Sequence, residues 1–74
     1  MKTLRITTNN RELYEKFNLF NFVNEIAIDK KLEKQIKLLI KNINRNNNLV
    51  SIHKAGNYIV VKRRNPFNIT AYLR

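Results

Sequence analysis

The chain has 74 residues, no cysteine, one glycine, one proline and a formal net charge of +10. That length allows one domain at most, burying somewhat more than about 60% of the surface its unfolded chain exposes. The absence of cysteine excludes a disulfide framework and a thiolate metal site. No stretch approaches the roughly 18 apolar residues of a membrane span, and the N-terminus lacks a signal peptide's apolar core, so the sequence reads as soluble and cytoplasmic. Thirteen asparagines, with heavy use of Ile and Lys, reflect the codon bias of an AT-rich genome, as in many bacteria, phages, other mobile elements and organelles.

Residues Thr3 to Thr7 alternate, with Leu4 and Ile6 on one side and Arg5 on the other, which is the period of a half-buried strand. Asn9 then stands as a helix cap, with Glu12 at capping-box spacing and Leu13, Phe17 and Phe20 at helical intervals. Leu19 to Ile28 fits both helical and extended periods and reads best as a short helix or turn. Asp29 caps the clearest element, a helix to about Asn46 with apolar Leu32, Ile36, Leu39, Ile40 and Ile43. The Asn46-Asn47-Asn48 run stops it, because these side chains compete for backbone hydrogen bonds.

Leu49 to Lys54 and Tyr58 to Arg64 are β-rich and flank Ala55-Gly56-Asn57, where Gly56 and Asn57 can supply the positive φ of a hairpin turn. Asn65-Pro66 breaks the second strand. Phe67 to Leu73 alternates again, with Phe67, Ile69, Ala71 and Leu73 on one face. The expected fold is therefore a small two-layer α+β domain of order β-α-(α)-α-β-β-β, an antiparallel sheet covered on one face by helices. A winged helix-turn-helix is the competing arrangement, with the lysine-rich helix in the groove and the hairpin as the wing.

Glu33 is the last acidic residue, and Lys34 to Arg74 holds nine of the ten net positive charges. Such an imbalance predicts polyanionic partners. At about 100° per residue, Lys30, Lys34, Lys37, Lys41 and Arg45 share a stripe about 80° wide, nearly opposite the apolar face, with only Leu38 at its edge. A solvated helix face normally mixes signs, whereas Glu33 and Lys37 form the only supporting pair here, so the stripe suits phosphate contacts.

Strand alternation predicts a second surface bearing Arg5, Ser51, His53, Tyr58, Val60, Lys62, Arg64, Thr70, Tyr72 and Arg74. Rings interleaved with cations are what single-stranded nucleic acid requires, through base stacking and phosphate pairing. Lys62-Arg63-Arg64 forms a third basic cluster; alternation turns Arg63 inward, but a place at the sheet edge would let it act with its neighbours. A membrane-surface helix is disfavoured, because the apolar face of the long helix is committed to packing.

One His, one Asp, four Glu and no Cys give no metal-ligand spacing, no nucleophile triad and no use for a cofactor. The sequence therefore points to a non-catalytic module binding RNA or single-stranded DNA through Lys30, Lys34, Lys37, Lys41, Arg45, His53, Tyr58, Lys62, Arg63, Arg64, Tyr72 and Arg74. One alternative is an interaction or structural protein of a ribonucleoprotein, virion or inhibitor complex, docking on an acidic protein partner within a larger assembly. Another is a metal-independent ribonuclease with His53 or Tyr72 as acid or base and Arg64 or Arg74 stabilising the phosphorane. In its order of elements the chain resembles the compact ribonuclease toxins of toxin–antitoxin systems, a likeness of topology that no motif carries. Oligomeric state is open.

Overall fold

The computed structural model describes residues 2–74. Its elements are β1 (Lys2–Thr8), α1 (Arg11–Leu19), β2 (Glu25–Asp29), a 3-10 turn (Lys30–Leu32), α2 (Glu33–Ile43), β3 (Val50–Ala55), β4 (Tyr58–Arg63) and β5 (Phe67–Leu73). The class is α+β, but the sheet is not the single antiparallel one expected. Strands β1 and β5 pair in parallel as a two-stranded sheet, and β2, β4 and β3 form a separate antiparallel sheet with β4 in the centre. The order β-α-β-α-β-β-β has two α-helices and an extra strand, which also removes the winged-helix alternative.

The extra strand comes from the ambiguous stretch. Ile26 and Ile28 are buried while Glu25 and Ala27 are exposed, so the period of two wins once β4 is available as a partner. The helical reading relied on Leu19, Phe22 and Val23, but Leu19 ends α1 and Phe22 and Val23 lie in the connecting turn, with Phe22 84% exposed. The first helix is capped by Asn10 rather than Asn9: Asn10 Oδ1 accepts from the Leu13 amide at 3.1 Å, and Thr8 Oγ1 accepts from the Asn10 amide at 3.1 Å. Leu13, Phe17 and Phe20 are fully buried, as their spacing requires.

Asp29 does act as a cap, accepting from the Lys31 amide at 2.9 Å, but over a 3-10 turn that precedes the α-helix. The helix then ends at Ile43, before the Asn46-Asn47-Asn48 run. Asn44 fixes that end. Its Oδ1 accepts from the Leu49 and Val50 amides at 2.9 and 3.0 Å, and its Nδ2 donates to the Val50 carbonyl at 3.0 Å, so the helix exit is stitched to β3. In the β3–β4 hairpin only Gly56 has positive φ, +61°. Positive φ at the first central residue alone matches the turn that favours glycine there.

Both sheets turn their apolar faces to one core. Phe17, Phe20 and Phe67 meet edge to face, with centroids 6.3 and 5.9 Å apart. Ile28, Ile36, Ile59, Val50 and Val61 complete the fully buried set. Leu73, expected inside, is 37% exposed at the end of β5. Helix α1 packs on β5, β2 and β1. Helix α2 shares clefts with β1 on one flank and is tied to β3 on the other by Asn44 and by a Glu33–Lys54 ion pair. No helix among the described residues is long and apolar enough to cross a membrane.

Candidate nucleic-acid interface

The predicted lysine stripe is shorter than its sequence spacing implied. Lys34, Lys37 and Lys41 lie on α2 within about 60° of arc, and all three are exposed. Lys30 belongs to the 3-10 turn and Arg45 to the loop beyond α2, so both flank the ridge rather than continue its helical path. A shallow cleft of about 760 Å³ at the start of the ridge is lined by Lys30, Lys31, Glu33, Lys34, Gln35 and Lys37. Within it Glu33 Oε2 takes Lys37 Nζ at 2.9 Å and Lys54 Nζ at 3.0 Å. These two ammonium groups, Lys37 first, hold the Glu33 carboxyl down to about 2. Lys37 is thereby partly neutralised, whereas Lys34, Lys41 and Arg45 have no acidic partner among the described residues.

The predicted sheet face divides in two. On the antiparallel sheet, Lys62 lies between Glu25 and Ser51 in register, Val60 between Ala27 and His53, and Tyr58 between Asp29 and Ala55. Strand β2 thus sets two carboxylates beside Lys62 and Tyr58, a consequence of the strand that the sequence reading missed. His53 Nε2 lies 3.3 Å from Ser51 Oγ on the exposed face.

The parallel sheet carries no such acid. Its outer face pairs Thr3 with Asn68, Arg5 with Thr70 and Thr7 with Tyr72, and Arg74 extends the ladder by donating its amide to the Thr8 carbonyl at 2.9 Å. Tyr72 is 49% exposed there. Between β1 and α2 run two adjoining clefts. One, of about 320 Å³, is lined by Thr7, Thr8, Asn9, Gln35, Leu38, Leu39, Asn42 and Arg74. The other, of about 430 Å³, is lined by Arg5, Ile6, Thr7, Leu39, Asn42 and Arg45. Neither lining contains a carboxylate side chain, so three arginines from separate parts of the chain converge on one uncompensated groove beside the α2 ridge. Arg5 was legible as an outward residue of β1 on the expected sheet face, but it was not among the residues expected to contact nucleic acid.

Arg63 is withdrawn from the surface. Its Nη1 donates to the Phe67 carbonyl at 2.5 Å and its Nη2 to the Phe20 carbonyl, and its Cζ sits 4.6 and 4.3 Å from the centroids of the Phe20 and Phe67 rings. Burial lowers its pKa from the usual guanidinium value. The guanidinium fills a slot between β4, β5 and the end of α1, a structural use of charge that strand alternation had signalled by turning Arg63 inward. Lys62 and Arg64 stay exposed without it; Arg64 follows β4, its amide bonded to the Leu49 carbonyl at 2.8 Å.

His53 lies on β3 of the antiparallel sheet and Tyr72 on β5 of the parallel sheet. No group of three or more His, Cys, Asp or Glu side chains converges as metal ligands would among the described residues. Compared with protein-family models, curated proteins and solved structures, the chain matches none.

Proposed function

We propose that the protein is a non-catalytic nucleic-acid-binding module that takes RNA or single-stranded DNA on its α2 side. The observations that carry this reading are that Lys34, Lys41 and Arg45 have no acidic partner among the described residues, and that the adjoining groove, with Arg5, Arg45 and Arg74, is lined by no acidic side chain. Lysines on successive helical turns engage phosphates as point charges, and the arginine fork pairs with phosphate oxygens bidentately. Tyr72, on the same sheet as Arg5 and Arg74, offers a ring for base stacking. The antiparallel face, with Lys62 beside Glu25 and Tyr58 beside Asp29, is the weaker candidate for a polyanion.

The test is a salt titration with a single-stranded oligonucleotide. Five phosphate contacts on a single strand give a slope of log affinity against log salt of about −3.5. Absence of a complex in low salt, or affinity indifferent to salt, would refute the proposal.

A further inference from the structure

Strand β1 has a free edge, and its geometry is legible. Because the Thr8 carbonyl accepts from the Arg74 amide, strand alternation turns the N–H and C=O of Ile6 and Leu4 toward β5 as well. The N–H and C=O groups of Thr3, Arg5 and Thr7 therefore face away from β5, and Arg5 and Thr7 line the cleft shared with α2. Among the described residues no loop or cap backbone bond reaches them.

The opposite edge of the same sheet is closed by the chain itself. Asn21 Nδ2 donates to the Ile69 carbonyl and its Oδ1 accepts from the Ile69 amide, both at 2.7 Å, while Asn18 Oδ1 accepts from the Ala71 amide at 3.4 Å. Unpaired strand edges are templates for pairing and are normally blunted or covered. Here one edge is covered by asparagine side chains and the other is left open along a groove.

We propose that the β1 edge accepts an extended peptide of alternating apolar and acidic residues from another protein, as a third strand of the β1–β5 sheet. The edge presents donors and acceptors in pairs that repeat every second residue, about 7 Å apart, which is the spacing of a peptide ladder. A phosphate backbone supplies acceptors only and leaves the two carbonyls unanswered. A second copy of this chain would set Arg5 against Arg5 between two bodies of +10 charge, which disfavours self-pairing.

The alternation follows from the walls: inward residues of the incoming strand meet Ile6, Leu39 and the 65% exposed Leu38, while outward ones meet the rim of Arg5, Arg45 and Arg74. Peptide capture at this edge does not rest on nucleic-acid binding by the lysines of α2, and the two ligands would compete for Arg5, Arg45 and Arg74.

The experiment titrates the isotopically labelled full chain with a blocked octapeptide alternating valine and glutamate. Saturation is expected to slow hydrogen exchange of the Arg5 and Thr7 amides at least tenfold. N-methylation of the alternate peptide nitrogens that face β1 should weaken binding at least tenfold, while methylation of the other set should not. Leu38→Glu, at an exposed position that leaves folding intact, should weaken binding by a similar factor. The proposal is overturned by any of three results: no spectral change at millimolar peptide, binding that leaves both amides unprotected, or equal affinity of the two N-methylated peptides. It is overturned equally if a single-stranded RNA oligonucleotide, and not the peptide, protects those amides.

Discussion

The two sheets differ in charge for a reason that lies in their pairing. Strand β4, from the acid-free second half, is flanked by β2 from the first half, so Glu25 and Asp29 come to rest beside Lys62 and Tyr58. Strand β5, from the same second half, pairs with β1, which brings Arg5 and three threonines but no acid. One basic stretch of sequence thus yields one balanced face and one uncompensated face. Polarity along a chain becomes polarity of a surface only through strand order. The two basic regions expected, the lysine stripe and the outer sheet face, adjoin in part, because Arg5, Arg45 and Arg74 converge beside α2.

The contrast depends on the two sheets keeping their relation, and Arg63 is the side chain that spans them. It leaves the end of β4 and donates to carbonyls at Phe67, the start of β5, and Phe20, beyond α1. Arg63→Ala would leave two carbonyls unanswered and open a gap between two rings, at a cost of about 2–4 kcal/mol. In a domain whose total stability is on the order of 5–15 kcal/mol, and small besides, that is a large fraction. Chemical denaturation should show it, and Arg63→Lys should recover only part, since an ammonium cannot stack flat or reach both carbonyls in one plane. Equal stability of Arg63→Ala and the parent chain would remove Arg63 as a structural link.

Each sheet also has its own asparagine clamp, which permits the regions to be loosened separately. Asn21→Ala strips the outer edge of β5, and Asn44→Ala releases the start of β3 from the end of α2. Each loss should cost about 1–3 kcal/mol. Hydrogen exchange should localise the effects: Ile69 should lose protection in the first variant, Leu49 and Val50 in the second. Simultaneous loss at both places in either variant would mean that the sheets do not behave as distinguishable units.

Binding measurements sharpen the comparison further. The triple variant Lys34→Ala, Lys41→Ala, Arg45→Ala should lower affinity for single-stranded RNA or DNA at least about tenfold in low salt, or about 1.4 kcal/mol, and flatten the salt slope by about 2. Lys62→Ala, on the balanced face, should change affinity less than about threefold. A larger loss from Lys62 than from the triple variant would exchange the roles of the two faces.

Much of this was legible in the sequence because it depended on local period. Ile6, Ile59 and Val61, and Ile36, Leu39, Ile40 and Ile43 are buried as their spacing required. Leu4 and Ile52 stay partly exposed, packed against the core. What was not legible depended on distant partners. Five residues, Glu25–Asp29, carry too few turns of either period to decide between helix and strand, and β4, some thirty residues later, decides it. Parallel pairing of β1 with β5 joins opposite ends of the chain, and no local signal specifies it. The candidate site inherited both gaps: Glu25 and Asp29 entered one face unseen, and Arg5 joined the other.

The smallest effect concerns the last carboxylate before the basic half. Glu33 bridges Lys37 on its own helix and Lys54 on β3, and these hold its carboxyl at about 2, below the ordinary value of 4.5. A carboxyl depressed in the folded state stabilises the fold fully above its unfolded value, and that contribution fades as pH falls toward 2. Both lysines are well exposed, so solvent and salt screen the interaction and its contribution is small. Glu33→Gln should therefore be slightly less stable than the parent chain at neutral pH, with the difference closing below pH 4 and shrinking in high salt. The same substitution releases Lys37 and Lys54 and should raise affinity for single-stranded nucleic acid by up to about threefold in low salt, since each freed cation adds to the counterion-release term. Weaker binding by Glu33→Gln would place the nucleic acid away from the α2 ridge, because removal of the carboxylate paired with Lys37 should strengthen a phosphate contact there.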